Sequence, residues 1–237
     1  MKLTLFSNLG DKDKNKAVEY LIQSSSPHQE FFLMVILSVL MAAFGLLINN
    51  ASVIIGSMLI APILYPVLGL SLGITMADFG LITRSFNVLL KSVVLGALSA
   101  AVITLLFFGS SAANSEIVSR TAPSLVYFAI AVVAGLGASF ALVKPYLSEM
   151  LPGVAISVAL IPPVAVMGIG LAKFSWEIFS GSFLLLLTNI AGIAFASLVI
   201  FSLTDLYPKR KVADKAIKKE DAELRKAEDI AEDLSRK

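Results

Sequence analysis

The residues best placed to do chemistry in this 237-residue chain are prolines and small polar side chains set inside apolar runs. Val53-Ile54-Ile55-Gly56-Ser57-Met58-Leu59-Ile60-Ala61-Pro62-Ile63 aligns without gaps on Val154-Ala155-Ile156-Ser157-Val158-Ala159-Leu160-Ile161-Pro162-Pro163-Val164, at an offset of 101 residues. The register continues to Gly69-Leu70 and Gly170-Leu171. A proline deletes one backbone donor and clashes with the preceding turn, so each helix is expected to bend or open about ten residues in. The carbonyls freed there can receive a hydroxyl, a water or a cation. Ser57 lies near the first break, and Ser157 lies about one turn before Pro162. Paired interruptions in the two halves of a membrane protein point to a transport site, although bent packing alone uses the same residues.

Other polar groups extend this set. Asn49 and Asn50 occupy a short uncharged turn, where two amides can cap the next helix or coordinate a desolvated solute. Asn87, Thr188 and Asn189 sit inside apolar segments, as interhelical hydrogen bonders or as lining of a path. Glu116 and Arg120 are four residues apart in a loop able to form a short helix, as a surface ion pair or as a gate. Asp78, Arg84 and Lys91 cluster near one end of two spans, and His28 has no imidazole partner in sequence. No span carries a central Asp, Glu or His, which counts against a proton relay on a buried carboxylate and favours a neutral solute or a cation held by dipoles. No HExxH, GxSxG or phosphate loop is present, so an enzyme is not expected, no cofactor is implied and no metal is specified.

The elements that must position these groups follow from composition. The chain is 57% apolar and 15% charged, well short of the quarter charged that is usual for a soluble domain. Six segments are long enough to span a bilayer: 31–48, 52–75, 86–108, 124–143, 151–171 and 178–203. Ser26, Pro27 and Gln29 read as an N-cap, an N1 proline and a capping-box partner, so the first span begins there as a retained anchor rather than a cleaved signal. The expected fold is an all-α polytopic membrane protein with a cytoplasmic segment 1–26, a six-helix domain 27–205 and a charged cytoplasmic helix 206–237. The half-length offset covers three spans, an odd number, so halves 27–108 and 124–205 form an inverted 3+3 repeat with proline-broken helices two and five. An N-terminus inside collects most Lys and Arg, including ten from Lys209 to Lys237, and leaves Arg120 and Lys173 outside. Both termini are therefore expected in the cytoplasm of a prokaryotic plasma membrane.

Asn49 to Pro62, Glu116 to Pro123, Leu151 to Ile156 with Ile161-Pro162-Pro163, and Leu187-Thr188-Asn189 together resemble the prokaryotic family of hydrophobic membrane proteins known as domain of unknown function 389. The resemblance runs over most of residues 30 to 205 and implies six membrane helices without implying an activity. Family members with a longer soluble N-terminal domain offer nothing transferable to the roughly 25 residues that precede the first span here.

Beyond Lys209, Ala213, Ile217, Glu220, Leu224, Ala227, Ala231 and Leu234 follow a 4,3 alternation, the coiled-coil period, with a weak seam. Three roles are open to it: a lone exposed helix, self-association, and contact with anionic lipid. Interleaved acids argue against nucleic acid as a partner. Gly135, Gly137, Ala131, Ala134 and Ala138 give the fourth span a small-residue ridge, and with the seam they make a homo-oligomer the expectation. The function expected is transport of a small ion or polar solute along a path lined by Asn49, Asn50, Ser57, Pro62, Asn87, Ser157, Pro162, Pro163, Thr188 and Asn189. An oligomeric ion channel and a membrane scaffold or sensor acting through the C-terminal arm are the alternatives.

Overall fold

The computed structural model describes residues 10–108, 114–144, 147 and 159–235. Among these every regular element is helical: α1 (Asp11–Ser24), α2 (Gln29–Leu47), α3 (Ala51–Met58), α4 (Leu64–Thr75), α5 (Phe79–Phe108), α6 (Ser115–Val118), α7 (Leu125–Val143), α8 (Ile161–Ala172), α9 (Trp176–Leu203) and α10 (Arg210–Ser235). α2, α5, α7 and α9 are long and apolar enough to cross a membrane. α4 and α8 are equally apolar but only 12 residues each.

The reason for the short helices is the proline pair, used differently from a kink. Helix α3 stops at Met58, and Leu59 to Ile63 are not helical, so the first interruption falls where Pro62 predicts it. A helix that restarts inside a bundle exposes four unpaired amides. Pro162 and Pro163 fall within the first turn of α8 and Pro66 within that of α4, where each removes one amide that has no helical partner. Prolines thus remove orphan donors at helix starts. Ser157 and residues 148–158, which precede the second interruption, lie outside the described residues.

Three tight turns share one construction. Asn49, Ala77 and Phe174 adopt positive φ of 55°, 50° and 51°, and the next residues, Asn50, Asp78 and Ser175, cap the following helix with their side chains. Their amides bond back to the carbonyls of Gly45, Gly73 and Gly170 at 2.8, 2.9 and 2.9 Å. Each glycine lets the next helix cross closely, because an added Cβ would lie 2.8 Å from Ile54, 2.9 Å from Ile82 and 2.8 Å from Phe179. By this geometry Gly73, not Gly69, stands in the place of Gly170. The register after the prolines is therefore 97 residues rather than 101, one helical turn less.

Helix α8 is the centre: all residues from Ile161 to Gly170 are buried, against α2, α5 and α9. α7 packs along α9 through its small residues; Gly135 meets the Ile193 backbone, and Gly192 meets Ala131. Apart from the exposed Gly137, the ridge expected to join two copies packs within one chain.

The C-terminal helix is no lone arm either. It lies on α1, with Ala213 and Glu220 of the 4,3 seam buried and Ala227 exposed. The His28 Nε2–H donates to Glu220 at 3.0 Å, Arg84 pairs with Asp221 and bonds Ser26, and Arg210 Nε stands 3.5 Å from the N-cap Asp78. Lys209 donates to Asp11 at 2.7 Å and holds that carboxyl below its ordinary 3.8. That tie is intact above about pH 4 and opens as the pH falls. Segments 1–26 and 206–237, separate by sequence, therefore close one end of the bundle together where they are described.

Gly168 is the tightest crossing, since a Cβ there would collide with the Ala97 carbonyl oxygen and lie 2.6 Å from Ala100. Gly168→Ala is expected to lose about 1–3 kcal/mol by overpacking. Gly56→Ala, which meets only the flexible end of Met41, is expected to be neutral or to gain up to about 1 kcal/mol from helix propensity. Thermal unfolding in detergent compares the two.

Candidate functional site

The end opposite the two terminal helices is assembled by asparagines. Asn49 Oδ1 accepts from the Ser115 hydroxyl at 3.1 Å and the Glu116 amide at 3.2 Å. Asn114 caps α6 and donates to the Leu46 carbonyl at 2.6 Å. The 114–120 segment is thereby pinned over the α2–α3 turn. Within it Arg120 Nη1 donates to the Glu116 carboxylate at 2.5 Å and to the Glu116 carbonyl at 2.6 Å, an i,i+4 pair about three-quarters buried.

Beneath this pair a cavity of about 260 Å³ runs into the bundle, lined by Glu116, Ser119, Arg120, Tyr127, Ala159, Pro163, Leu185 and Asn189. Its floor is the second interruption. Ala159 has φ of 48°, unusual for a residue with a Cβ, and Asn189 Nδ2 donates to its carbonyl at 3.4 Å. Asn189 is 13 residues into the 28-residue α9, about 20 Å along a helix about 42 Å long, so the floor lies near mid-height.

Four of the residues singled out in sequence, Glu116, Arg120, Pro163 and Asn189, thus meet around one space. Pro162 is their buried neighbour. The others stand elsewhere. Asn49 and Asn50 are spent on loop docking and on capping α3, the latter by accepting from Val53 at 3.2 Å. At the first interruption Ser57 is fully buried, its hydroxyl bonded to Ile54 and its carbonyl receiving Ser38 at 2.6 Å; Pro62 follows it away from the cavity. Thr188 bonds back to Leu184 at 2.8 Å, and Asn87 lies on the exposed face of α5.

Sequence reasoning missed two contributors to the cavity and one buried hydroxyl on the helix that lines it. Tyr127 lines the cavity and donates to the Ser119 carbonyl at 3.3 Å. Ala159 supplies a carbonyl that only its backbone geometry reveals. Ser182 is fully buried with no partner for its hydroxyl among the described residues, and it shares one face of α9 with Leu185 and Asn189. That i, i+3, i+7 spacing was the one available signal. Groups of three or more His, Cys, Asp or Glu fit to hold a metal are absent among the described residues. Among the described residues the site offers one balanced charge pair over hydrogen-bonding and apolar walls.

Replacing Asn189 by Leu takes the donor from the Ala159 carbonyl and is expected to cost about 0.6 kcal/mol, the usual worth of such a bond inside a membrane protein. Thr188→Val, which breaks only a bond within its own helix, is expected to leave stability unchanged. Unfolding followed by Trp176 fluorescence tests the pair.

A family model described as "Domain of unknown function (DUF389)" matches residues 58–195. An uncharacterized protein, MJ0678, of the archaeon Methanocaldococcus jannaschii is 33% identical over 182 residues, which cover 77% of this chain and 56% of that protein. The chain therefore spans about half the length of the curated relative it matches. No solved structure matches it.

Proposed function

The chain belongs to the DUF389 family of unknown function, and we propose from its own residues that it is a membrane transporter of a small polar solute. The observation that carries this reading is the cavity that reaches from the Glu116–Arg120 pair to the interruption at Ala159 and Asn189. In an apolar layer, non-helical backbone is tolerated only inside protein or beside a polar space, and here such a space adjoins it.

In this reading six segments cross the bilayer. α3 and α4 form the second span, and α8, with the residues before it, forms the fifth. The halves are an inverted repeat. Support comes from α4 and α8, which both carry proline in their first turn and are both followed by a positive-φ residue and an N-cap that lead into a long helix, α5 or α9. They run in opposite senses: α4 leads toward the end bearing Asp78 and Arg210, α8 toward the end where Gly181 meets Thr121.

The end with α1 and α10 carries most of the Lys and Arg and is assigned to the cytoplasm of a plasma membrane, with both termini inside. Arg120 and Lys173 then lie outside. A cavity open outward over a floor at mid-height, with α1 and α10 drawn across the opposite end, describes an outward-facing state of alternating access. The described lining of the cavity comes from one chain, and much of the small-residue ridge and of the described seam packs within that chain, which favours the transporter over the oligomeric channel.

The test is solute uptake by the purified protein in liposomes. Pro163→Ala combined with Asn189→Ala is expected to abolish uptake while the protein remains folded. Undiminished uptake in the folded double variant would remove these residues from the path, and step-like currents in planar bilayers would select the channel.

A further inference from the structure

The lining of the outer cavity specifies a charge pattern for its ligand. Among the described residues, the charged side chains that line it are Glu116 and Arg120, bonded to each other at 2.5 Å and largely buried. A cation entering alone must take Glu116 from Arg120, and an anion entering alone must take Arg120 from Glu116. Either exchange leaves a partly buried charge without its partner, which is strongly unfavourable. A solute with one carboxylate and one ammonium group can replace both halves of the pair at once, with no charge left over. Arg120 suits the carboxylate, because a guanidinium offers five donors in a planar fork, and its bonds to the Glu116 carboxylate and carbonyl come from Nη1.

Size points the same way. A space of about 260 Å³ holds roughly nine waters at about 30 Å³ each, far more than a bare ion needs. Leu185 and Pro163 give an apolar wall, and the Asn189 amide and Ala159 carbonyl give a polar floor. We infer that the cavity is a binding site for a small free zwitterion of the amino-acid type, its carboxylate taken by Arg120 and its ammonium by Glu116. This rests on the proposal that the cavity is a solute site and names the class of solute.

The experiment is isothermal calorimetry on the full chain in detergent, with glycine, alanine and serine as probes. Propionate and ethylamine serve as half-ligands. Saturable heat with at least one amino acid and none with either half-ligand is expected, and Arg120→Gln and Glu116→Gln are each expected to weaken binding about tenfold or more. Absence of binding by all three amino acids, or equal binding of propionate or ethylamine, overturns the inference without needing any variant. Binding of glycerophosphoethanolamine in place of the amino acids assigns the zwitterion to a lipid headgroup and overturns the free-solute source. Transport is scored separately. Uptake of a solute that is not zwitterionic would leave the transporter standing and this inference fallen, whereas tight zwitterion binding without flux would do the reverse.

Discussion

A backbone that leaves the helix inside an apolar layer must find partners for every amide and carbonyl it releases, and the rest of this structure follows from how two such places are satisfied. At the first, serine hydroxyls do the work: Ser57 bonds the Ile54 carbonyl, and Ser38 bonds the Ser57 carbonyl, both at 2.6 Å. At the second, a carboxamide from another helix reaches in, Asn189 to Ala159. Prolines at the starts of α4 and α8 lower the number of donors needing partners at all. Small residues then let long helices close around the short ones, as at Gly168 against Ala97.

The two interruptions are consequently unequal. The first is closed by its hydroxyls and carries exposed apolar residues, Leu59 and Ile60, on its outer side. At the second, half-buried Ala159 lines the cavity while Leu160 and Ile161 are both in the core. Under the proposed transport reading, one sealed and one open interruption is the asymmetry that alternating access requires, and the ion pairs of α10 with Asp78, Arg84 and His28 hold the opposite end together. The central helix α8 touches α2, α5 and α9.

Much of this was legible in the sequence where local chemistry decides. The interruption at Pro62, the turn at Asn49-Asn50 and the Glu116–Arg120 pair follow from residue type and spacing within a few positions. What was illegible depends on helix rotation and on contacts distant in sequence. Thr188 and Asn189 are neighbours set about 100° apart, and only packing against the second interruption decides that Asn189 faces inward. The gapless 101-residue register misplaces Gly69 because the segment after the second proline is one turn shorter, a change composition does not betray. His28 and Glu220 are 192 residues apart, so a lone histidine and a polar residue in a hydrophobic seam gave no sign that each was the other's partner.

The chain has no cysteine, so a single introduced thiol reports without background. The most direct measurement is the reactivity of Ala159→Cys with a membrane-impermeant maleimide, applied in turn to each face of sealed vesicles. Labelling from the face that carries Arg120, slowed by the transported solute, and none from the face that carries the termini, is the expected result. Equal labelling from both faces, or protection from both, would contradict an outward-open cavity that ends at a mid-membrane interruption.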